Sequence, residues 1–114
     1  MDLLAILRAF AETCNQNQRL RAMNHDWTRQ VSVVAVDSGE AYWIRSLKGE
    51  LSAGEGGFDG LPDMEIRADE SVLSDVFSGR VSPTEPYNQG DLLVRGNQDD
   101  IFRLDVITLM IWGD

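Results

Sequence analysis

The stretch Pro86-Tyr-Asn-Gln-Gly-Asp-Leu-Leu-Val-Arg-Gly-Asn-Gln-Asp-Asp-Ile-Phe-Arg-Leu104 decides how the chain is read. Its two glycines, Gly90 and Gly96, bracket a short segment, and an apolar tail follows. A phosphate-gripping loop and a strand that turns into a helix both fit that outline. The details separate them. A Walker-type loop needs Lys-Ser or Lys-Thr after its last glycine, whereas Asn97-Gln98-Asp99-Asp100 follows here, and two carboxylates repel a phosphate. The dinucleotide fingerprint fails as well, because its first two glycines stand two residues apart. In the strand reading, Leu92 and Val94 face one way while Asp91, Leu93 and Arg95 face the other. Asn97 then caps a helix that has Asp99 and Asp100 in its first turn.

That helix, Ile101-Phe-Arg-Leu-Asp-Val-Ile-Thr-Leu-Met-Ile-Trp112, has only Arg103, Asp105 and Thr108 as polar residues. A helix apolar nearly all round has to be covered by something. A deep core position, a partner subunit such as a second copy, and the wall of a hydrophobic cavity are the three ways to cover it. Its β-branched residues also leave a terminal strand open.

Working back along the chain, Met64–Ala68 alternates Met64, Ile66 and Ala68 with Glu65 and Arg67, as a half-wet strand does. Asp69 stands as the N-cap of a following helix, with Glu70 in its first turn. Val72, Leu73, Val76 and Phe77 form the buried face of that helix, and Gly79 falls where a left-handed residue ends it. Ser82-Pro83-Thr84-Glu85 has capping-box spacing, but Pro86 limits the segment to a single turn. Upstream, Val31–Val36 and Ala41–Leu47 flank the turn cluster Asp37-Ser38-Gly39-Glu40 and predict a hairpin. The glycine-rich span 48–63 reads mostly as loop, with brief pairing around Leu51. The chain opens with an amphipathic helix placing Leu3, Leu4, Leu7, Phe10, Ala11 and Cys14 on one face. It continues helically through Leu20 and Met23, breaks near Asn24-His25-Asp26, and leaves Trp27 as an anchor under the first strand.

The 114 residues suit one domain, taken as 1–114, with a single core. A net charge of −9 disfavours electrostatic binding to nucleic acid or anionic membrane. Residues 1–30 carry four arginines against three acids, so the acidity lies in the remainder. No run is long enough to span a bilayer, and the N-terminus lacks the basic region and cleavage site of a secretory leader. One cysteine, Cys14, excludes an internal disulfide and fits a reducing cytoplasm. No catalytic residue and no metal site is assigned. The single histidine, His25, falls in a turn and builds neither a Ser–His–acid nor a Cys–His set. The acidic pairs Asp69-Glu70 and Asp99-Asp100 stand at helix starts, where cap and dipole stabilisation accounts for them.

The order helix, hairpin, glycine-rich loop, strand, helix, turn, strand, helix resembles the sterol carrier protein type-two domain. The resemblance is strongest from Met64 to Leu104: a strand at Met64–Ala68, the acidic pair Asp69-Glu70 opening a helix, and a helix end at Gly79. A turn with Pro83, the aromatic Tyr87, and a strand bounded by Gly90 and Gly96 complete it. Ala41-Tyr-Trp-Ile-Arg-Ser-Leu-Lys-Gly-Glu-Leu51 also resembles that family's aromatic second strand running into a Lys-Gly turn. The resemblance implies an α+β fold, a mostly antiparallel sheet of about five strands with helices packed on one face. It further implies non-enzymatic binding or transfer of a fatty acid, sterol-like or isoprenoid lipid in an apolar cavity, without a cofactor. From the patterning, Val76 and Phe77 of the middle helix, Leu92 and Val94 of the strand, and Phe102, Val106 and Leu109 of the last helix are the candidate lining. The alternative is an interaction domain whose last helix covers a partner or second subunit. Pro86 departs from the small helix-compatible residue usual in the family, while the acidity and a C-terminus unlike a peroxisomal address depart from its eukaryotic members and fit a cytoplasmic bacterial domain.

Overall fold

The computed structural model describes residues 2–57 and 60–113. The elements are α1 (Leu3–Gln16), α2 (Gln18–Met23), β1 (Arg29–Ala35), β2 (Glu40–Leu47), β3 (Glu50–Glu55), β4 (Met64–Ala68), α3 (Glu70–Phe77), α4 (Thr84–Gln89), β5 (Leu92–Gly96) and α5 (Gln98–Trp112). The strands form one sheet in the order β3-β2-β1-β4-β5. β1 and β4 run parallel, and the other three pairings are antiparallel. The mostly antiparallel α+β architecture expected from the sequence is therefore present.

Register explains which face is covered. Val33 stands between Tyr42 and Ile66, and Ile66 also faces Val94; Val31 stands between Ile44 and Met64. A period of two puts these residues on the same side of the sheet. They join the core together with the α1 stripe Leu3, Ile6, Leu7, Phe10, Ala11 and Cys14. The opposite face carries Gln30, Ser32, Arg45, Glu65, Arg67 and Arg95, as expected where an antiparallel sheet meets water.

The structure corrects four local expectations. The first helix does not run through to Met23. Asn17 interrupts it, and the Asn17 side chain accepts from the Leu20 amide to start α2 anew. This fits the preference of Asn for caps over helix interiors. Pairing in the span 48–63 is not confined to the surroundings of Leu51, because β3 pairs with β2 from Leu47↔Glu50 to Tyr42↔Glu55. Lys48 and Gly49 both adopt positive φ, giving the two-residue turn that suits strand twist. Gly54 is in that strand because Trp43 lies across it, and a Cβ there would come within 2.3 Å of the indole. Its glycine marks a close approach rather than a loop.

The third correction concerns Asp69, which holds the N-cap position of α3 but makes no side-chain cap. The Glu70 amide donates instead to Asp37 Oδ1 at 3.0 Å, from the β1–β2 turn. The fourth is α4, a six-residue helix rather than a single turn. Pro86 is its third residue, within the first turn, where a backbone N–H has no helical acceptor to lose.

Candidate ligand-binding cleft

The last helix is held at both ends. At its start, the Asn97 side chain accepts from the Asp99 amide at 2.8 Å. Asp100, 5% exposed, accepts from Trp27 Nε1 and from Arg29 Nε, each at 3.0 Å. One turn on, Arg103 donates to Asn24 Oδ1 at 2.8 Å and lies over the Trp27 ring. Asp100 therefore ties α5 to the start of β1 and the segment before it, a role beyond the helix-dipole one its position suggests, while Arg103 makes the link to the end of α2. At the far end, Trp112 packs on Phe10, with ring centroids 5.6 Å apart. It also covers Gly79, whose φ is +81° and whose added Cβ would lie 2.7 Å from the indole. Only glycine meets both demands without strain.

Between these anchors the helix divides its apolar residues between two sides. Ile107 and Ile111, at i and i+4, turn to the core, and Leu104, one turn before Ile107, packs on the core and reaches the cleft as well. Gln98, Ile101, Phe102 and Asp105 follow the same spacing on another side and border a cleft of about 380 Å³. Ile66, Leu92 and Val94 of the sheet form another wall, with Val76 and Phe77 of α3 beside them. Pro83, Thr84, Tyr87 and Asn88 close the α4 side, and Leu104 and Thr108 complete the α5 side. The volume is near the lower end of the range for small-molecule sites. Phe77 belongs to both regions, since its ring meets Phe10 edge-on at 5.1 Å.

Of the candidate lining residues, Val76, Phe77, Leu92, Val94 and Phe102 border this cleft. Val106 and Leu109 do not. Val106 is half-buried outside it, and Leu109 is 57% exposed one turn beyond Asp105. Thr84, Tyr87 and Asn88 do not stand out as lining in the sequence, because Pro86 argues for a single turn where α4 carries them. Nor does Asp105, the one charged residue bordering the cleft.

The ionisable groups elsewhere are accounted for structurally. Burial pushes the Cys14 thiol up to about 12, so it stays protonated at neutral pH. Tyr42 is raised above the ordinary phenol range, first by its 2.7 Å hydrogen bond to Glu40 and then by burial. Gly90 ends α4 with φ +82°, and Gly96 ends β5. Among the described residues no group of three His, Cys, Asp or Glu side chains is placed to hold a metal ion. Among them, too, no helix is long and apolar enough to cross a membrane.

The SCP-2 sterol transfer family matches residues 8–104. No curated protein matches the sequence. Among solved structures, the ubiquinone synthesis protein UbiJ-SCP2 superposes with a TM-score of 0.76 at 14% identity, covering 96% of this chain and 94% of that one. The sterol carrier protein domain 2 of Helicoverpa armigera gives 0.73 at 15% identity, over 99% of this chain and 91% of that one. A sec-alkylsulfatase from Pseudomonas sp. gives 0.63 at 12% identity over 82% of this chain, which spans only 14% of that enzyme. At these identities the likeness establishes the fold.

Proposed function

This chain belongs to the SCP-2 sterol transfer family, and on that premise we propose that it binds a hydrophobic lipid in the cleft between β4, β5 and helices α3 to α5. The lipid is a fatty acyl, sterol-like or isoprenoid molecule. The observation that carries this reading is the division of α5: Ile107 and Ile111 join the core, while the exposed Phe102, with Ile101 at the margin between core and cleft, borders an open cleft with Val76, Leu92 and Val94. Covering that apolar wall with a lipid chain is worth roughly 25 cal/mol per Å² removed from water. The ligand enters and leaves without covalent chemistry, and residues 1–114 act as one carrier module. A cytoplasmic setting is part of this reading, supported by the lone, unpaired Cys14.

The test has two arms. Protein purified from its native host is extracted with organic solvent and the extract analysed by mass spectrometry. In parallel, the purified protein is titrated with the uncharged fluorophore N-phenylnaphthylamine. A co-purifying lipid and saturable fluorophore binding are expected, with binding lost in Val94→Trp, which fills the cleft. An empty protein that takes up no fluorophore sinks the proposal. So does uptake that Val94→Trp leaves unchanged while the variant's circular dichroism matches the wild type.

A further inference from the structure

The lining of the cleft carries one charge, and it is negative. Asp105 borders the cleft from α5, one turn beyond Ile101 and Phe102. No lysine, arginine or histidine lines the cleft. Arg103, two residues away, is engaged with Asn24 and Trp27. The Asp105 side chain has no ion-pair or hydrogen-bond partner among the described residues; the Thr108 hydroxyl donates to the Asp105 backbone carbonyl instead. The cleft thus offers a free acceptor and no counter-charge for an acid. The remaining lining polar groups are neutral: Thr84, Tyr87, Asn88 and Gln98 are exposed, and Thr108 is buried with its hydroxyl committed to the Asp105 carbonyl.

From this we infer that Asp105 is a specificity-determining residue: the cleft takes an apolar chain whose head group donates a hydrogen bond and bears no negative charge, an alcohol or an amine, and disfavours fatty-acid and other anionic heads. A donor directed at a carboxylate forms a charge-assisted hydrogen bond, stronger than a neutral pair. A second carboxylate in the same partly apolar space meets like-charge repulsion and loses water without gaining a partner. The −9 net charge of the chain acts in the same direction at longer range. The inference rests on the cleft being the lipid site and narrows the class of lipid that site accepts.

Chain-matched dodecanol, dodecylamine and dodecanoate, the alcohol kept below its solubility limit and the two charged amphiphiles below their micelle concentrations, are compared as competitors of bound N-phenylnaphthylamine. In the wild type, dodecanol and dodecylamine are expected to displace the fluorophore at concentrations about tenfold lower than dodecanoate. In Asp105→Asn that preference shrinks to about twofold, chiefly through tighter dodecanoate binding. Asp99→Asn removes one negative charge from an exposed position outside the cleft and is expected to leave the preference intact. The gap between dodecanol and dodecylamine separates plain hydrogen bonding from ion pairing. Equal displacement by all three in the wild type overturns the role of Asp105 while leaving lipid binding standing. An equal effect of Asp99→Asn overturns it too, since a long-range field would then suffice. Saturable fluorophore binding that none of the three displaces also overturns it, and absence of fluorophore binding removes the site itself.

Discussion

The two ends of the sheet are covered by helices in the same layer, yet one end is filled and the other borders an open cleft. At the β3 edge, α1 presents a regular stripe in which the small Ala11 and Cys14 allow close approach. Asn15 then completes the seal: its side-chain amide donates to the Leu51 carbonyl and accepts from the Leu51 amide, each at 2.8 Å. That is the pairing a further strand would supply at Leu51, so the edge is blocked at that position. At the β5 edge, α5 is tied by Asp100 near its start and Trp112 at its end, buries Ile107 between them, and shares its other apolar residues between core and cleft. Its neighbour α4 is short and contains Pro86. A helix with one stripe gives a packed core, whereas a helix with two apolar sides leaves one of them available.

Truncation at the filled end is expected to have the largest effect. Phe10 is 1% exposed and its ring touches both Phe77 and Trp112. Phe10→Ala removes the shared partner of α3 and the end of α5, and should cost about 3–5 kcal/mol of unfolding free energy. Urea denaturation followed by tryptophan fluorescence reads this directly. A loss below about 1 kcal/mol would mean that this end is no better packed than the cleft.

How far this contrast was legible in the sequence depends on distance along the chain. The stripe of α1, the hairpin, β4 and the capped α5 are local patterns, and each stands at or near its predicted place. The excess of apolar residues on α5 announced that something must cover it, but not how its sides would be divided. Contacts between remote residues left no local trace. Asp100 looked like a first-turn acid because Trp27 and Arg29, its partners, lie 73 and 71 positions earlier. The bond from Asn15 to Leu51 spans 36 positions in the same way. β3 was hidden by Gly54, whose reason for being glycine is the indole of Trp43 on the neighbouring strand. Loop-forming composition and tight cross-strand packing use the same residue, and only the partner tells them apart.

An intermediate effect is expected at the sealed edge. Asn15→Ala leaves the Leu51 N–H and C=O without their partners in a part-buried setting, at a cost of about 1–3 kcal/mol. The amide of Leu51 should also exchange its hydrogen faster, which NMR or mass spectrometry can follow. Asn88 is the matched residue at the other end: it borders the cleft and is exposed. Asn88→Ala should stay within about 0.5 kcal/mol. Equal losses from the two substitutions would contradict the distinction between a sealed edge and an open one.

The smallest effect on stability, and the one that most sharpens the comparison, is expected at Phe102. This ring borders the cleft, yet is 67% exposed, so folding gains little from it. Phe102→Ala should change the unfolding free energy by no more than about 0.5 kcal/mol. Covering part of a bound chain is a different matter. If a ligand removes roughly half of the ring from water, about 1 kcal/mol of binding energy depends on it, and N-phenylnaphthylamine should bind about fivefold more weakly to the variant. The two measurements move apart only if the side chain meets its apolar partner in the ligand rather than in the protein. A variant that loses stability and affinity together would make Phe102 an ordinary core residue. One that loses neither would place the ligand away from α5. Loss of affinity alone is the result the open side of α5 calls for, because an aromatic ring left in water by the folded chain still has its burial to gain.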